Sequence, residues 1–146
     1  MVRLENANKS FAVSPLVERK FQRPLPDVEK QKKAIRLLEE GLQDYEAAQE
    51  AEEELSIRQR GSVACEKVFH ALVELTDALI SRQVETHDDR VEALEEVGRE
   101  DLADLYRIAK DALHTSGYYS QRLGPSQART IQRVKQAMET ELEKLR

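Results

Sequence analysis

Two side chains suited to phosphate chemistry lie seven positions apart in the second half of the chain. Arg107 carries a guanidinium and His114 an imidazole, and seven steps of about 100° return to the same face of an α-helix. Lys110 lies close to the same line, and Tyr118 and Tyr119 follow. A guanidinium binds phosphate oxygens, and an imidazole transfers protons near neutral pH. The spacing therefore predicts an anion site near the end of this helix.

The residues that follow form a span without acidic side chains. No Asp or Glu occurs from Ala112 to Met138, although the net charge of the chain is −5. This asymmetry predicts a surface for an anion, an RNA backbone or an acidic partner. The alternative is an ordinary exposed helix face whose cations lie opposite the acidic half of the first helix. The span also contains Lys135, and the predicted binding residues are Lys110, Tyr118, Tyr119, Arg122, Arg129 and Arg133.

The other two histidines and the cysteine have simpler interpretations. Glu66 and His70 have the spacing Glu-x-x-x-His, once, whereas a carboxylate-bridged di-metal bundle uses Glu-x-x-His twice. We therefore expect His70 to be a hydrogen-bonded histidine in the core or at its boundary. His87 is expected to cap a helix, and Cys65 to lie in the core. The sequence predicts no metal site and no cofactor.

Composition and periodicity predict an all-α fold. Charged residues make up 35% of the chain and hydrophobic residues 40%, with five glycines and four prolines, which is typical of helical domains. The central stretch Gly61–Arg82 has a broad apolar stripe at helical spacing, formed by Cys65, Val68, Leu72, Leu75 and Leu79. We expect this stretch to be the central helix of an antiparallel four- to five-helix bundle that spans residues 27–146.

Turn and capping residues set the predicted helix boundaries. In chain order these are about Asp27–Ala51, Ser56–Arg82, Thr86–Val97, Glu100–Thr115 and a last helix that opens at Gly124, Pro125 and Ser126. Gly98 and Gly117 are expected to end the third and fourth helices. Val28 and Ile35 belong to the apolar stripe of the first helix, and Val97 is expected to face inward.

Residues 1–26 differ from the rest of the chain. They hold three of the four prolines, and Pro24 and Pro26 prevent a helix across them. They also hold more large apolar residues than a disordered tail usually has, namely Phe11, Val13, Leu16, Val17, Phe21 and Leu25. We expect an extended arm that lies on the bundle or on a partner subunit. A frayed terminus is the alternative.

The compartment is predicted from the apolar runs and the cysteine count. No apolar run approaches membrane-spanning length, and the N-terminus lacks the apolar stretch of a signal peptide. One cysteine excludes an intrachain disulfide, which favours a reducing compartment. We expect a cytoplasmic protein with no membrane partner.

The chain resembles the HEPN superfamily of small helical bundles, above all its archaeal PaREP1-type members. The matching pieces are ACEKVFHALVEL, the THDDR turn and LYRIAKDALHTSGYYSQRL, and the likeness runs from about Gln31 to the C-terminus. The resemblance implies a homodimer that acts as a nucleotide-, RNA- or protein-binding module. It also implies a toxin–antitoxin or nucleotidyltransferase-linked system, with a nucleotidyltransferase as the protein partner.

The same resemblance implies an alternative, catalytic function. Many HEPN proteins are metal-independent ribonucleases with an Arg, four to six residues and a His, and Arg107 and His114 match the outer limit of that spacing. His114 would act as general acid or base at the 2′-hydroxyl, and Arg107 would hold the scissile phosphate. A two-fold axis would bring two such pairs into one cleft. The chain departs from the family at Ile108, usually polar in active nucleases, and at Ser116, where the toxin members carry a modifiable tyrosine.

Overall fold

The computed structural model describes residues 27–80 and 82–144, which are helical with short connections and contain no strand. The elements are α1 Val28–Glu50, α2 Glu54–Leu79, α3 His87–Glu96, α4 Glu100–Ala109, a π-helix Lys110–Tyr119 and α5 Pro125–Lys144. The predicted all-α class is confirmed for these residues. No helix among them combines the length and the apolar character that crossing a bilayer requires. The predicted arm, residues 1–26, lies outside the described ranges.

Helix α2 supplies the centre of the hydrophobic core. Phe69, Leu72 and Leu75 are almost completely buried, and each such side chain stabilises the fold by about 1.5–3 kcal/mol relative to an exposed one. Every other element contributes to the same core, with Leu38, Leu94, Tyr106, Leu113 and Met138 among the buried residues. The burial agrees with the prediction that this apolar stretch is the central helix.

Helices α1 and α2 lie antiparallel. Asp27 caps α1 by accepting hydrogen bonds from the backbone N–H groups two and three residues ahead, at 3.0 and 3.2 Å. Along the interface Lys33 pairs with Glu74, and Asp44 pairs with Lys67 at 2.8 Å. The partners on α2 therefore run backwards as the chain advances along α1, as the three-residue connection requires.

Helix α5 runs back along α4 and the π-helix. Arg99, just before α4, donates two hydrogen bonds of 2.8 Å to the carboxylate of Glu141 near the end of α5. At the other end, the side-chain amide of Gln127 donates to the carbonyl of Ala112 at 3.0 Å. These two attachments fix α5 along the same elements that carry the candidate site.

Some details differ from the sequence predictions. Helix α2 ends at Leu79 and not at Arg82. Val97 follows the last residue of α3 and is half exposed, so it does not face inward, while Gly98 has the left-handed φ of +79° expected of a helix terminator. Val28 and Ile35 are exposed because α1 packs mainly against α2, which covers one face of it.

The fourth predicted helix does not stop where the sequence predicted. α-Helical bonding ends at Ala109, and the chain continues to Tyr119 as a π-helix, whose hydrogen bonds reach five residues back. Gly117 lies inside this segment, buried against Cys65, and does not terminate it. Each residue of a π-helix turns through less than the roughly 100° of an α-helix. The seven-residue spacing across this junction therefore no longer returns to one face.

Candidate functional site

All three histidines of the chain meet on one phenylalanine. Phe69 is fully buried, and its ring centroid lies 5.1 Å from that of His114, 5.2 Å from that of His87 and 6.2 Å from that of His70. Two oxygen-bearing side chains complete the group. We call it the histidine cluster, and its members are Glu66, Phe69, His70, His87, Tyr106 and His114.

Four elements position the cluster. Glu66, Phe69 and His70 are three and four residues apart on α2, so they share a helix face. His87 is the first residue of α3, but it does not cap that helix. Thr86 does so, since its hydroxyl accepts a 3.0 Å hydrogen bond from a backbone N–H of the first turn. The expected capping role of His87 is therefore wrong.

Glu66 orients His114. Oε1 of Glu66 lies 2.8 Å from Nδ1 of His114, and the two side chains are 18% and 19% exposed. A carboxylate only accepts, so Nδ1–H donates and Nε2 is the basic nitrogen of the neutral imidazole. The ring of Phe69 stacks on the imidazole at an interplanar angle of 27°. A fixed imidazole with one nitrogen left for proton transfer is suited to acid–base chemistry.

The carboxylate of Glu66 also faces His70. Nε2 of His70 lies 3.5 Å from Oε2, the second oxygen of the carboxylate. His70 is exposed, so it lies at the rim of the cluster and not in the core. The hydrogen-bonded histidine expected in the core or at its boundary is therefore not found: within the described residues His70 is exposed, and its contact with Glu66 is an ion pair that requires a protonated imidazole.

His87 is paired with a buried phenol. Its Nδ1 lies 2.7 Å from the hydroxyl of Tyr106, and burial raises the pKa of that hydroxyl. Burial lowers the pKa of His87, and positive charge nearby lowers it further, from His114, Arg90, Lys110 and His70. His87 is therefore neutral at pH 7, with its ring centroid 5.4 Å from that of His114.

An ion pair holds α3 against α2 beside the cluster. Arg90 donates to both carboxylate oxygens of Asp77, at 2.7 and 3.1 Å, and both side chains are largely buried. Arg90 follows His87 by three residues on the same short helix. The pair therefore fixes the position of His87 relative to the α2 residues that it contacts.

Arg107 has different partners from His114. Its guanidinium lies 2.7 Å from Glu95 of α3 and 2.9 Å from Asp104 of α4. It lines a cavity of about 400 Å³ whose other charged residues are Lys110, Asp88, Glu92, Glu95 and Asp111. Four carboxylates make this cavity unfavourable for a phosphate. In the described structure no contact joins Arg107 to His114. The imidazole of His114 bonds instead to Glu66 of α2.

We call residues 112–138, which contain no Asp or Glu, the cationic span, and no carboxylate of the described structure neutralises its cations. Its four Lys and Arg side chains have no ion-pair partner among residues 27–80 and 82–144, whereas most others in these ranges have one. These four are Arg122, Arg129, Arg133 and Lys135. Lys110, the other predicted binding cation, lies before this span and lines the acidic cavity beside Arg107. The acidic half of α1 does not serve them, since Glu40 and Asp44 pair with Lys67 of α2.

Both predicted tyrosines lie beside the histidine cluster. The ring centroid of Tyr119 is 5.0 Å from that of His114, and the rings meet edge to face at 76°. Tyr118 meets Tyr119 at 5.1 Å, also edge to face. The structure thus brings His114 and the two tyrosines together and leaves Arg107 on a different surface.

Sequence reasoning missed most of the histidine cluster. Glu66 and His114 are 48 positions apart, and neither His87 nor Tyr106 carries a spacing signal toward them. The sequence offered one indication of the cluster, the four-residue spacing of Glu66 and His70, which places them one helical turn apart. Within the described part of the chain, no group of three His, Cys, Asp or Glu side chains is placed to hold a metal ion.

Comparison of the chain with protein-family models, with curated proteins and with solved structures finds no significant match. The resemblance to HEPN proteins therefore rests on the sequence segments quoted above. What the chain does has to be inferred from the contacts and charges of its own residues.

Proposed function

We propose that the chain is a HEPN-like helical bundle that binds RNA or a nucleotide. The proposed binding surface extends from the π-helix to the middle of α5. The observation that carries the proposal is a set of four cations, three of them exposed arginines, that have no ion-pair partner among the described residues, in a span that begins beside His114. Phosphate groups are the ligands whose negative charge such a surface neutralises. Because the chain as a whole is acidic, binding must be local to this surface.

Charge reversal on α5 tests this proposal. Arg129 and Arg133 are exposed and one turn apart, and changing both to Glu should weaken binding of a labelled single-stranded RNA at least about tenfold, or 1.4 kcal/mol. The matched control is Lys32→Glu with Arg36→Glu on α1, which has the same spacing and charge change. Fluorescence anisotropy at low salt measures both. An equal loss in the two variants, or no binding by the unaltered protein, would overturn the proposal.

The 2.8 Å contact between Glu66 and His114 supports a second candidate, metal-independent RNA cleavage. Nε2 of His114 would take the proton of a 2′-hydroxyl, whose oxygen then attacks phosphorus. The bond from phosphorus to the 5′-oxygen breaks, that oxygen takes a proton from water, and a 2′,3′-cyclic phosphate remains. To hold the phosphate, as the HEPN resemblance implies, Arg107 would have to leave Glu95 and Asp104.

Product analysis in the presence of a chelator tests cleavage. We expect His114→Ala to abolish it, and Glu66→Gln to slow it by about 10²-fold, because the amide no longer fixes the imidazole as the carboxylate does. Circular dichroism confirms that each variant is folded. Unchanged cleavage by His114→Ala would remove His114 from the mechanism and return the cluster to a binding role.

A homodimer, a nucleotidyltransferase partner in a toxin–antitoxin setting and a cytoplasmic location complete the proposal. The first two are implied by the HEPN resemblance. The third is supported by the cysteine count, because the single Cys65 allows no intrachain disulfide. Sedimentation showing a monomer at micromolar concentration would reject the dimer.

A further inference from the structure

Two aromatic rings stand outside the core at the end of the π-helix. Tyr119 is 69% exposed, and Tyr118 is also exposed. Their centroids are 5.1 Å apart at an angle of 63°. An apolar core does not need either ring, whereas exposed aromatic side chains next to a charged surface are frequent in ligand sites.

The backbone that carries these rings is held in place. The N–H of Ser120 donates to the carbonyl of Thr115 at 3.0 Å, and the N–H of Arg122 donates to that of Ser116 at 2.9 Å. Gln121, between them, has a left-handed φ of +53°, which is uncommon for a residue with a side chain. The turn is therefore built for one conformation, and it presents the tyrosines at a defined position.

Groups that bind phosphate precede and follow the rings along the chain. Tyr119 packs edge to face on His114 at 5.0 Å. Arg122, three residues after Tyr119, is exposed and has no ion-pair partner among the described residues. Aromatic rings combined with cations are the means by which proteins hold single-stranded nucleic acids, since the rings stack on bases and the cations follow the backbone.

We propose that Tyr118 and Tyr119 form a stacking platform for an unpaired nucleobase. This inference rests on the proposed function and narrows its ligand to single-stranded RNA. In a duplex the bases stack on one another, so their faces are closed to side chains at the surface. An acidic peptide would use the cations but would offer the two rings no planar partner.

Three probes with equal numbers of phosphates, the duplex being half as long as the two single strands, separate stacking from phosphate binding. They are a single-stranded oligoadenylate, an abasic ribose-phosphate strand and a duplex, each labelled at one end for anisotropy. We expect the full protein to bind the oligoadenylate about tenfold or more tighter than the abasic strand, since each stacked base contributes on that order. The chain has no tryptophan, so quenching of tyrosine fluorescence gives a second readout of stacking.

Substitutions assign the effect to the platform. Tyr119→Leu should lose the preference for bases and keep the affinity for the abasic strand, while Tyr119→Phe should retain both. Tyr45→Leu, at a half-buried position of α1 that packs on the core, is the control for loss of a tyrosine elsewhere and should bind like the unaltered protein. Circular dichroism checks that each variant is folded.

The outcomes distinguish the platform from the proposed function. Equal binding of the oligoadenylate and the abasic strand, or unchanged preference in Tyr119→Leu, overturns the platform and leaves phosphate binding in place. Tighter binding of the duplex also overturns the platform. Failure to bind any of the three probes overturns both. Tighter binding of an oligoglutamate peptide than of the oligoadenylate would assign the surface to an acidic protein and overturn both.

Discussion

At Gly117 a hydrogen in place of a side chain lets the π-helix lie directly against α2. A Cβ at this position would lie 2.7 Å from Sγ and 2.9 Å from Cβ of Cys65, and 3.1 Å from the carbonyl oxygen of Ala112. The two contacts with Cys65 are closer than real Cβ atoms make, and the one with Ala112 is tighter than usual. The sequence predicted a helix terminator here because glycine is most often selected for its backbone freedom, whereas this one is required for close packing.

Gly117→Ala should destabilise the fold by about 2 kcal/mol through overpacking, measured by urea unfolding. Cys65→Ala removes the nearest atom, so in the double variant the cost of Gly117→Ala should be smaller, which a double-mutant cycle measures. Gly98→Ala is the control, since φ is +79° and no atom lies within 4 Å. It should cost about 1 kcal/mol from strain alone, with no coupling to Cys65. A Gly117→Ala protein as stable as the original would contradict the packing.

His87 should make stability depend on pH as pH falls below about 6.5. Burial lowers its pKa in the folded state below the ordinary value of 6.5. As pH falls below 6.5, the unfolded chain therefore gains a proton at residue 87 that the folded chain does not, and the free energy of unfolding falls. His87→Gln, which cannot titrate, should reduce this slope in urea unfolding from pH 7.5 to 5. An unchanged slope would mean that His87 titrates alike in both states.

Among the helices, α2 was predictable and the π-helix was not. Apolar residues at three-and-four spacing define α2, and that pattern alone indicates a buried helix. The residues of the π-helix would suit an α-helix equally well. What distinguishes the two is the contact of Gly117 with Cys65 and the hydrogen bond from Gln127 to Ala112, both made with distant parts of the chain. A local pattern does not contain such information.

The attachment of α5 to α4 should depend on Glu141. This carboxylate is buried and accepts two 2.8 Å hydrogen bonds from Arg99, which lower its pKa below the ordinary 4.5. Its contribution is therefore present above pH 4.5 and is lost as pH falls through the lowered value. Glu141→Gln should cost about 2 kcal/mol at pH 7, measured by urea unfolding, because Arg99 loses the buried one of its two carboxylate partners and keeps only the exposed Asp101.

Two comparisons check the role of Glu141. The cost of Glu141→Gln should shrink as pH falls below 4.5, because the contribution of the charged carboxylate is then progressively lost. Arg107→Gln, which breaks an exposed pair with Glu95, should change stability little, since exposed ion pairs contribute little. A loss for Glu141→Gln no larger than that of Arg107→Gln at pH 7 would show that the buried pair does not hold α5.

Over the described residues, most cations outside the cationic span have an ion-pair partner, whereas the four inside it have none. The sequence shows where acidic residues are absent, and so it predicted the cationic span. It does not show which cations are paired, because pairs such as Lys33 with Glu74 form between helices. The same limit applies to the site, where His114 was predicted from its residue type but its partner Glu66 was not. Contacts between distant segments of the chain decide both which cations are paired and which residue orients His114.

This charge division predicts how salt affects RNA binding. The logarithm of the affinity for single-stranded RNA should fall linearly with the logarithm of the salt concentration, with a slope of about 0.7 per phosphate neutralised. Changing Arg129 and Arg133 to Gln should reduce the slope by about 1.4, because two phosphate contacts are lost. The same change at Lys32 and Arg36, on α1, should leave it unaltered. Because a structural defect would lower affinity without changing the slope, only direct contact with phosphate explains a slope that changes in the α5 variant alone.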